Sequence, residues 1–172
     1  FISLFSILNY SNALGEEQFN FNVSEIEILE NGNKFRGLNR GEIIANNGLA
    51  INADEFEYNR KTNILDAKGN IVIKYPLKKY QIYANKISYL KNENLIILNE
   101  KVKFIDENNR IINAKQISYN SFKDIFVASG NAKIFDPNEN FTIYSENISY
   151  LKKKNIIKNE NKSKIIDNDK KT

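Results

Sequence analysis

The sequence predicts an all-β fold, in which stacked repeats of about 30 residues, each made of two strands, form an elongated structure. Three observations predict it. The phrase ISYLK occurs at 87–91 and again at 148–152, with the near copy ISYN at 117–120. Apolar and polar residues alternate over short stretches, whereas no helical period is sustained after Gly15. β-Branched and aromatic residues, which strands favour, dominate these stretches.

The first strand of each repeat ends at a tyrosine. The four tyrosines, which are 31, 30 and 31 residues apart, are Tyr58, Tyr89, Tyr119 and Tyr150. The same apolar pattern precedes each of them, at 51–58, 82–89, 112–119 and 143–150. Within the first copy, the step of two between apolar positions becomes a step of three between Ala53 and Phe56. One extra residue in a period of two predicts a β-bulge or a bend.

The second strand carries a landmark that begins eleven residues after each tyrosine. The aligned pairs are Gly69-Asn70, Glu100-Lys101, Gly130-Asn131 and Asn161-Lys162, and a weaker copy begins at Gly41. Around the first pair, Leu65, Ala67, Ile71 and Ile73 share one parity, and polar residues occupy the other. We therefore expect one dry face and one wet face on this strand.

The segments between the predicted strands are typical of turns. They read NRKTN at 59–63, KNEN at 91–94, DENNR at 106–110 and DPNEN at 136–140. A repeat of two strands cannot bury its apolar face alone, but stacked copies share a continuous interior. The isoleucine and tyrosine columns are predicted to line that interior, so their first role is core packing.

The N-terminal residues resemble the second half of a secretory signal peptide. An apolar run from Phe1 to Leu8 is followed by Ser11-Asn12-Ala13, which is similar to a cleavage site. The alternative is a buried first strand. We divide the chain into a partial signal peptide (1–13), a lead-in segment with the first edge strands (14–40), the repeats (41–165) and a truncated continuation of the array (166–172).

The composition argues against several classes of function. The chain has no Cys and no His, which removes the usual zinc ligands, thiol nucleophiles and imidazole bases. The net charge of +4 is mild, so we expect no nucleic-acid partner. Asp54, Glu55 and Glu57 form an acidic cluster, but no acidic pair recurs in the other repeats. We expect no enzyme activity, cofactor or metal.

The first repeat resembles the signature repeat of the OstA-like family of lipopolysaccharide transport proteins. The stretch INADEFEYNRKTNILDAKGNIVI at 51–73 contains the Ala-Asp, Tyr-Asn and Gly-Asn landmarks of that repeat together and in order. The later repeats keep the pattern, but Asn85, Lys115 and Glu146 stand where the first has Asp54. The resemblance covers about residues 26–165 and implies an elongated, open β-jellyroll.

The resemblance implies that the interior shields the acyl chains of lipopolysaccharide, because exposing each methylene to water costs about 0.8 kcal/mol. Core and groove remain equal alternatives for the apolar columns. Lys68, Lys101, Lys103 and Lys133 are candidates for phosphate contact, or simply residues of a solvated face. The candidate residues lining the groove are Phe56, Tyr58, Leu65, Ile71, Ile73, Ile87, Tyr89, Ile96, Val102, Phe104, Ile117, Tyr119, Phe126, Ile134, Ile148 and Tyr150.

The resemblance also implies partners. Other proteins of the lipopolysaccharide transport system would add a strand to an exposed edge of the sheet. The candidate edge strand contains Phe19, Phe21, Val23, Ile26 and Ile28. The lead-in and the unfinished array favour the outer-membrane assembly protein, whose membrane barrel would follow the jellyroll. The periplasmic bridge protein and a structural or adhesive repeat protein without a lipid ligand remain alternatives. In the preferred case the protein is periplasmic and associated with the outer membrane.

Overall fold

Twelve strands make up most of the chain that the computed structural model describes, which comprises residues 19–45, 48–75, 79–159 and 162–169. The strands are β1 (Phe19–Leu29), β2 (Lys34–Ala45), β3 (Ala50–Ala53), β4 (Glu55–Asn59), β5 (Ile64–Tyr75), β6 (Tyr80–Leu90), β7 (Leu95–Ile105), β8 (Ile111–Asn120), β9 (Ile125–Asp136), β10 (Phe141–Leu151), β11 (Ile156–Lys158) and β12 (Ser163–Asp167). The all-β prediction is confirmed, since the described ranges contain only strands, turns and short 3-10 segments. None of the helical segments in those ranges has the length and hydropathy of a membrane span. The predicted signal peptide lies outside the described residues.

The strands form one antiparallel sheet that follows the order of the chain. β3 and β4 lie end to end and together fill one position between β2 and β5. β11 and β12 share the last position, next to β10, in the same way. Neighbouring strands are antiparallel, and four of the connections between them, at 59–63, 91–94, 106–110 and 136–140, are the segments that the sequence predicts as turns. Each repeat therefore adds two adjacent strands, with β1 at one edge of the sheet and β11 and β12 at the other.

A bend near the middle of the strands divides the sheet into two halves. The bend falls where pairs of consecutive residues adopt positive φ angles, at Asn39-Arg40, Gly69-Asn70, Glu100-Lys101 and Gly130-Asn131. The pairing register shifts there: Lys68 pairs with Lys86 and Ile71 with Ala84, so β5 has one residue more than β6 across the bend. The bend predicted from the step of three is confirmed, because β3 ends at Ala53 and β4 begins at Glu55, but the extra residue of the pairing lies on β5. The sequence places a weak first copy of the landmark at Gly41, but the bend lies two residues earlier, at Asn39-Arg40. The position is wrong because Asn39 adopts the left-handed conformation without a glycine to mark it.

The Ala-Asp and Gly-Asn landmarks of the first repeat meet across this bend. The backbone N–H of Asp54 donates to the carbonyl oxygens of Lys68 (3.2 Å) and Gly69 (3.0 Å). The Asp54 carboxylate accepts a hydrogen bond of 2.8 Å from Asn70 Nδ2. A Cβ atom on Gly69 would lie 2.9 Å from Asp54 Cγ, which is closer than real Cβ atoms come. The two landmarks are therefore one structural unit, which fixes the bend.

Replacing Gly69 with alanine is expected to lower the free energy of unfolding by about 2 to 3 kcal/mol, because a left-handed backbone and a steric clash add up. The matched control is Gly32→Ala. Gly32 has a similar φ of 84°, against 79° at Gly69, but its Cβ would meet nothing within 4 Å. That variant should lose only about 1 kcal/mol. Urea denaturation measures both, and equal losses would contradict the role of Asp54 at the bend.

The two halves of the sheet face each other and enclose the apolar interior. We call them the tyrosine arm, which contains the four repeated tyrosines and β4 and β11, and the isoleucine arm, which contains β3 and β12. Ring contacts cross the interior between the arms: the centroids of Phe104 and Phe126 are 4.2 Å apart, and those of Tyr80 and Tyr119 are 6.0 Å apart. Buried residues from both arms form one hydrophobic core.

Candidate functional site

The interior between the arms contains every residue that the sequence predicts to line a groove. All sixteen of these side chains are buried. Their inward orientation is as predicted, whereas their contact with lipid stays a prediction. The nearest aromatic neighbours are Tyr119 and Phe126, which stack at 4.1 Å with an interplanar angle of 8°. The side chains therefore pack against one another as a core in this structure.

Two rows of directly paired inward residues run across the whole sheet. Paired residues share a face of the sheet, so each row traces the interior from one edge to the other. The row of the tyrosine arm is Ile28, Phe35, Tyr58, Leu65, Tyr89, Ile96, Tyr119, Phe126, Tyr150 and Ile157. The row of the isoleucine arm is Phe21, Ile43, Ile51, Ile73, Ile82, Phe104, Ile112, Ile134, Ile143 and Ile165. Every member of both rows is apolar or tyrosine, so the apolar surface is unbroken.

The inward rows become exposed at both ends of the sheet. At the β1 end, Ile26 and Ile28 are 45% and 63% exposed although they lie on the inward face. At the other end, Ile165 is 67% exposed although it pairs with the buried Ile143. The interior is therefore closed along its length and open at its two ends.

The predicted edge strand is at an edge of the sheet, since among the described strands β1 pairs only with β2. The side chain of Phe19, one of its five candidate residues, lies in the core and not at the edge. Phe19 is buried, with its ring centroid 4.8 Å from that of Tyr58 and 6.1 Å from that of Tyr89. It belongs to the core because it reaches from the end of β1 across to the tyrosine arm.

The tips of the two arms meet along a polar seam. Arg110, in the turn after β7, donates to Asp136 from Nη2 (2.6 Å) and Nε (2.7 Å), and both side chains are buried. Its Nη1 donates to Asn155 of the tyrosine arm (3.1 Å), and its guanidinium lies 5.0 Å from the centre of the Tyr150 ring. Burial alone would raise the pKa of Asp136, but hydrogen bonds from Arg110 and from the backbone of Glu139 and Asn138 hold it below its usual range.

Two further contacts close the same seam. Lys152 of the tyrosine arm forms an ion pair of 3.0 Å with Glu107 of the isoleucine arm and lies 4.4 Å from the centre of the Tyr80 ring. Asp124 accepts hydrogen bonds from the hydroxyls of Tyr80 (3.3 Å) and Tyr119 (3.0 Å). Burial, together with the nearby Asp124, raises the pKa of both tyrosines, so they remain protonated donors. The seam therefore closes the interior through polar contacts, and hydrogen bonds to water can replace these contacts.

Sequence reasoning missed the seam residues. Arg110 and Asp136 are 26 residues apart and come from neighbouring turns, so no local pattern connects them. One signal was available: Asp106 and Asp136 begin two of the predicted turns at a separation of 30 residues, and both are buried. In Asp106, Oδ1 accepts from the backbone N–H of Asn108 and Arg110, while Oδ2 is a buried atom without a partner in the described part of the chain.

The acidic cluster of the first repeat is engaged in structural contacts. Glu55 pairs with Lys68 at 2.8 Å, and Glu57 pairs with Lys34 and Arg36 at 3.2 Å each. Hydrogen bonds and the charges of Lys34 and Arg36 outweigh the effect of burial and lower the pKa of Glu57. Among residues 19–45, 48–75, 79–159 and 162–169, no group of three or more acidic side chains is placed to hold a metal ion.

The comparisons with known proteins support the fold. No protein-family model matches the chain, and no curated protein matches it. A solved structure does: that of LptH, described as the LptA homologous periplasmic component of the conserved lipopolysaccharide transport device from Pseudomonas aeruginosa. The TM-score is 0.61 at 14% sequence identity, over 69% of this chain and 93% of that one. The likeness is one of fold, and it confirms the predicted β-jellyroll.

Proposed function

We propose that this protein shields the acyl chains of lipopolysaccharide between its two arms during transport across the periplasm. The observation that carries the proposal is the pair of apolar rows that cross the whole sheet and stay exposed at both ends. At the β1 edge this apolar surface reaches water at Ile28, which is 63% exposed, so an acyl chain that enters from that edge meets apolar side chains at once. The fold of LptH, a component of a lipopolysaccharide transport device, supports the same role.

The arms must part for an acyl chain to lie between them, because the interior side chains fill that space when no lipid is bound. The seam is the place where separation costs least, since the partly exposed Lys152–Glu107 pair and the tyrosine hydroxyls can form hydrogen bonds with water instead. The bend on the opposite side holds the arms together through the backbone. Lys152 and Arg110 would then lie at the opening between the arms, next to the phosphates of the bound head group.

Photo-crosslinking tests the proposal. A photoreactive phenylalanine analogue placed at Ile28, Phe104 or Ile165 is expected to form an adduct with lipopolysaccharide, because all three positions face the interior. The matched control is Val127, which is 38% exposed but lies on the outer face of the tyrosine arm. Equal labelling at Val127, or no adduct at any inward position of a protein whose circular dichroism shows a folded sheet, would overturn the proposal. The second outcome would favour a structural or adhesive repeat protein.

The partners that we propose are other lipopolysaccharide transport proteins, which would add strands at the β1 edge and at the edge formed by β11 and β12. Of the two placements, we propose the outer-membrane assembly protein, because a lead-in segment (14–40) precedes the repeats. The periplasmic bridge protein is the alternative, and the fold of LptH, itself a periplasmic component, fits it. The coding sequence downstream of Thr172 distinguishes them, since a barrel requires many further alternating strands.

A further inference from the structure

The outer face of the isoleucine arm carries a row of lysines and tyrosines that the proposed function does not use. Directly paired residues on β6 to β10 and β12 form this lysine–tyrosine row, which consists of Tyr83, Lys103, Asn113, Lys133, Tyr144 and Lys164. The row lies on the face opposite to the interior, because its members alternate with buried neighbours along each strand, as Lys133 does between Ala132 and Ile134. It spans five strand spacings, or about 24 Å.

The lysines of this row have no acidic partner among the described residues. Within the described ranges, Lys103, Lys133 and Lys164 form no ion pair, and Lys133 instead lies 5.5 Å from the centre of the Tyr144 ring. The row itself contains no acidic residue. By contrast, Lys68 and Lys86 near the bend pair with Glu55 and Glu100. Positive charge therefore accumulates on one face of one arm.

An apolar row runs beside the lysine–tyrosine row, one step nearer the tips of the strands. Its apolar members are Ile105, Ile111, Phe135 and Ile166, which pair in sequence with Thr142 between the last two. These side chains are half-buried, and Tyr144 next to them is 39% exposed. At a bilayer interface the phosphates lie outside the acyl chains. A surface of this kind can therefore place its lysines at the phosphates, its tyrosines at the interface and its branched apolar side chains at the acyl chains.

We propose that the outer face of the isoleucine arm docks on a bilayer of anionic phospholipids, with the three lysines at the phosphate head groups and Tyr144 at the interface. A soluble polyanion would account for the lysines, but it gives no role to the adjoining apolar row. A bilayer accounts for both rows. The contact involves only the outer face of one arm and leaves the interior uncovered, so this proposal does not rest on the proposed function.

Single-tryptophan variants test the contact, because the chain has no Trp of its own. Tyr144→Trp is expected to shift its fluorescence to shorter wavelength when vesicles of equal parts phosphatidylglycerol and phosphatidylcholine are added, and not with phosphatidylcholine alone. Val127→Trp is the matched control, since Val127 and Tyr144 are 38% and 39% exposed and lie on the outer faces of different arms. A shift at both positions, at position 127 only, or at neither would overturn the proposal.

Charge removal tests the lysines. The triple variant K103Q/K133Q/K164Q is expected to bind the anionic vesicles about 100-fold more weakly, at about fivefold for each lysine near the surface. The control K61Q/K123Q/K154Q removes the same charge from the turns of the tyrosine arm and should bind within about threefold of the wild type. An equal loss of vesicle binding in both triple variants would overturn the proposal. It would also be overturned if the protein does not bind vesicles but binds heparin through the lysines of the row. The vesicles contain no lipopolysaccharide, so the proposed function is unaffected by either result.

Discussion

Replacing Phe126 with alanine is expected to lower the free energy of unfolding by about 4 kcal/mol, because a buried aromatic side chain is lost and a cavity remains. The Phe126 ring is in contact with rings of both arms, stacked on Tyr119 at 4.1 Å and 4.2 Å from Phe104 across the interior. Tyr80 adds a third, edge-on contact at 5.8 Å. Urea denaturation, followed by circular dichroism, measures the loss.

The control for this prediction lies four residues earlier. Phe122 stands in the turn after β8 and is 77% exposed, so Phe122→Ala should change the stability by less than about 0.5 kcal/mol. A loss of less than about 1 kcal/mol for Phe126→Ala would contradict the packed interior, since a ring in an open groove leaves no cavity when it is removed. This pair of variants therefore distinguishes a core from a groove, two alternatives that the sequence leaves equal.

The second large effect is expected at the seam. Asp136→Asn keeps a side chain that can accept from the turn backbone, but it leaves the buried charge of Arg110 without its partner. Breaking a buried ion pair in this way costs about 3 to 5 kcal/mol. The double variant R110M/D136N removes both charges and should recover most of the loss. If the double variant is no more stable than Asp136→Asn, the uncompensated charge is not the cause.

The effect of Asp136 should depend on pH in a defined direction. The pKa of Asp136 in the folded protein lies below the ordinary value of 3.8. Its contribution to the free energy of unfolding is therefore fully present above pH 3.8 and is lost as the pH falls through the folded pKa. The difference in stability between the wild type and Asp136→Asn should therefore be largest near neutral pH and shrink below about pH 4. Glu107→Gln, which removes the exposed partner of Lys152, is the control and should cost less than about 1 kcal/mol. A difference that does not change with pH would contradict the assignment.

The parts of the fold that repeat were predictable from the sequence. The spacing of the tyrosines predicts two strands per repeat, and the alternation predicts which side chains face inward, because both follow from the period of two in a strand. The step of three between Ala53 and Phe56 predicts the bend. The first bend was misplaced because its landmark is Asn39-Arg40, where no glycine marks the left-handed backbone.

The parts that depend on contacts between distant strands were not predictable. The same isoleucine and tyrosine side chains suit a closed core and an open groove, so alternation alone does not tell how closely the arms approach. Phe19 was assigned to an edge because its strand is at the edge, yet its ring packs against Tyr58 of the other arm. The Arg110–Asp136 pair joins turns of different repeats, and the charges alone do not predict such a pairing.

Among the described strands, β6 to β9 pair only with the strands directly before and after them in the chain, which has a consequence for how such a protein changes in evolution. Duplication or deletion of one unit of about 30 residues inserts or removes two strands without requiring a new type of contact, since each unit meets the next through the same rows. Each duplication would lengthen the molecule by roughly 10 Å, two strand spacings. The span of this architecture is therefore adjustable in steps of one tandem duplication, while the cross-section between the arms stays the same.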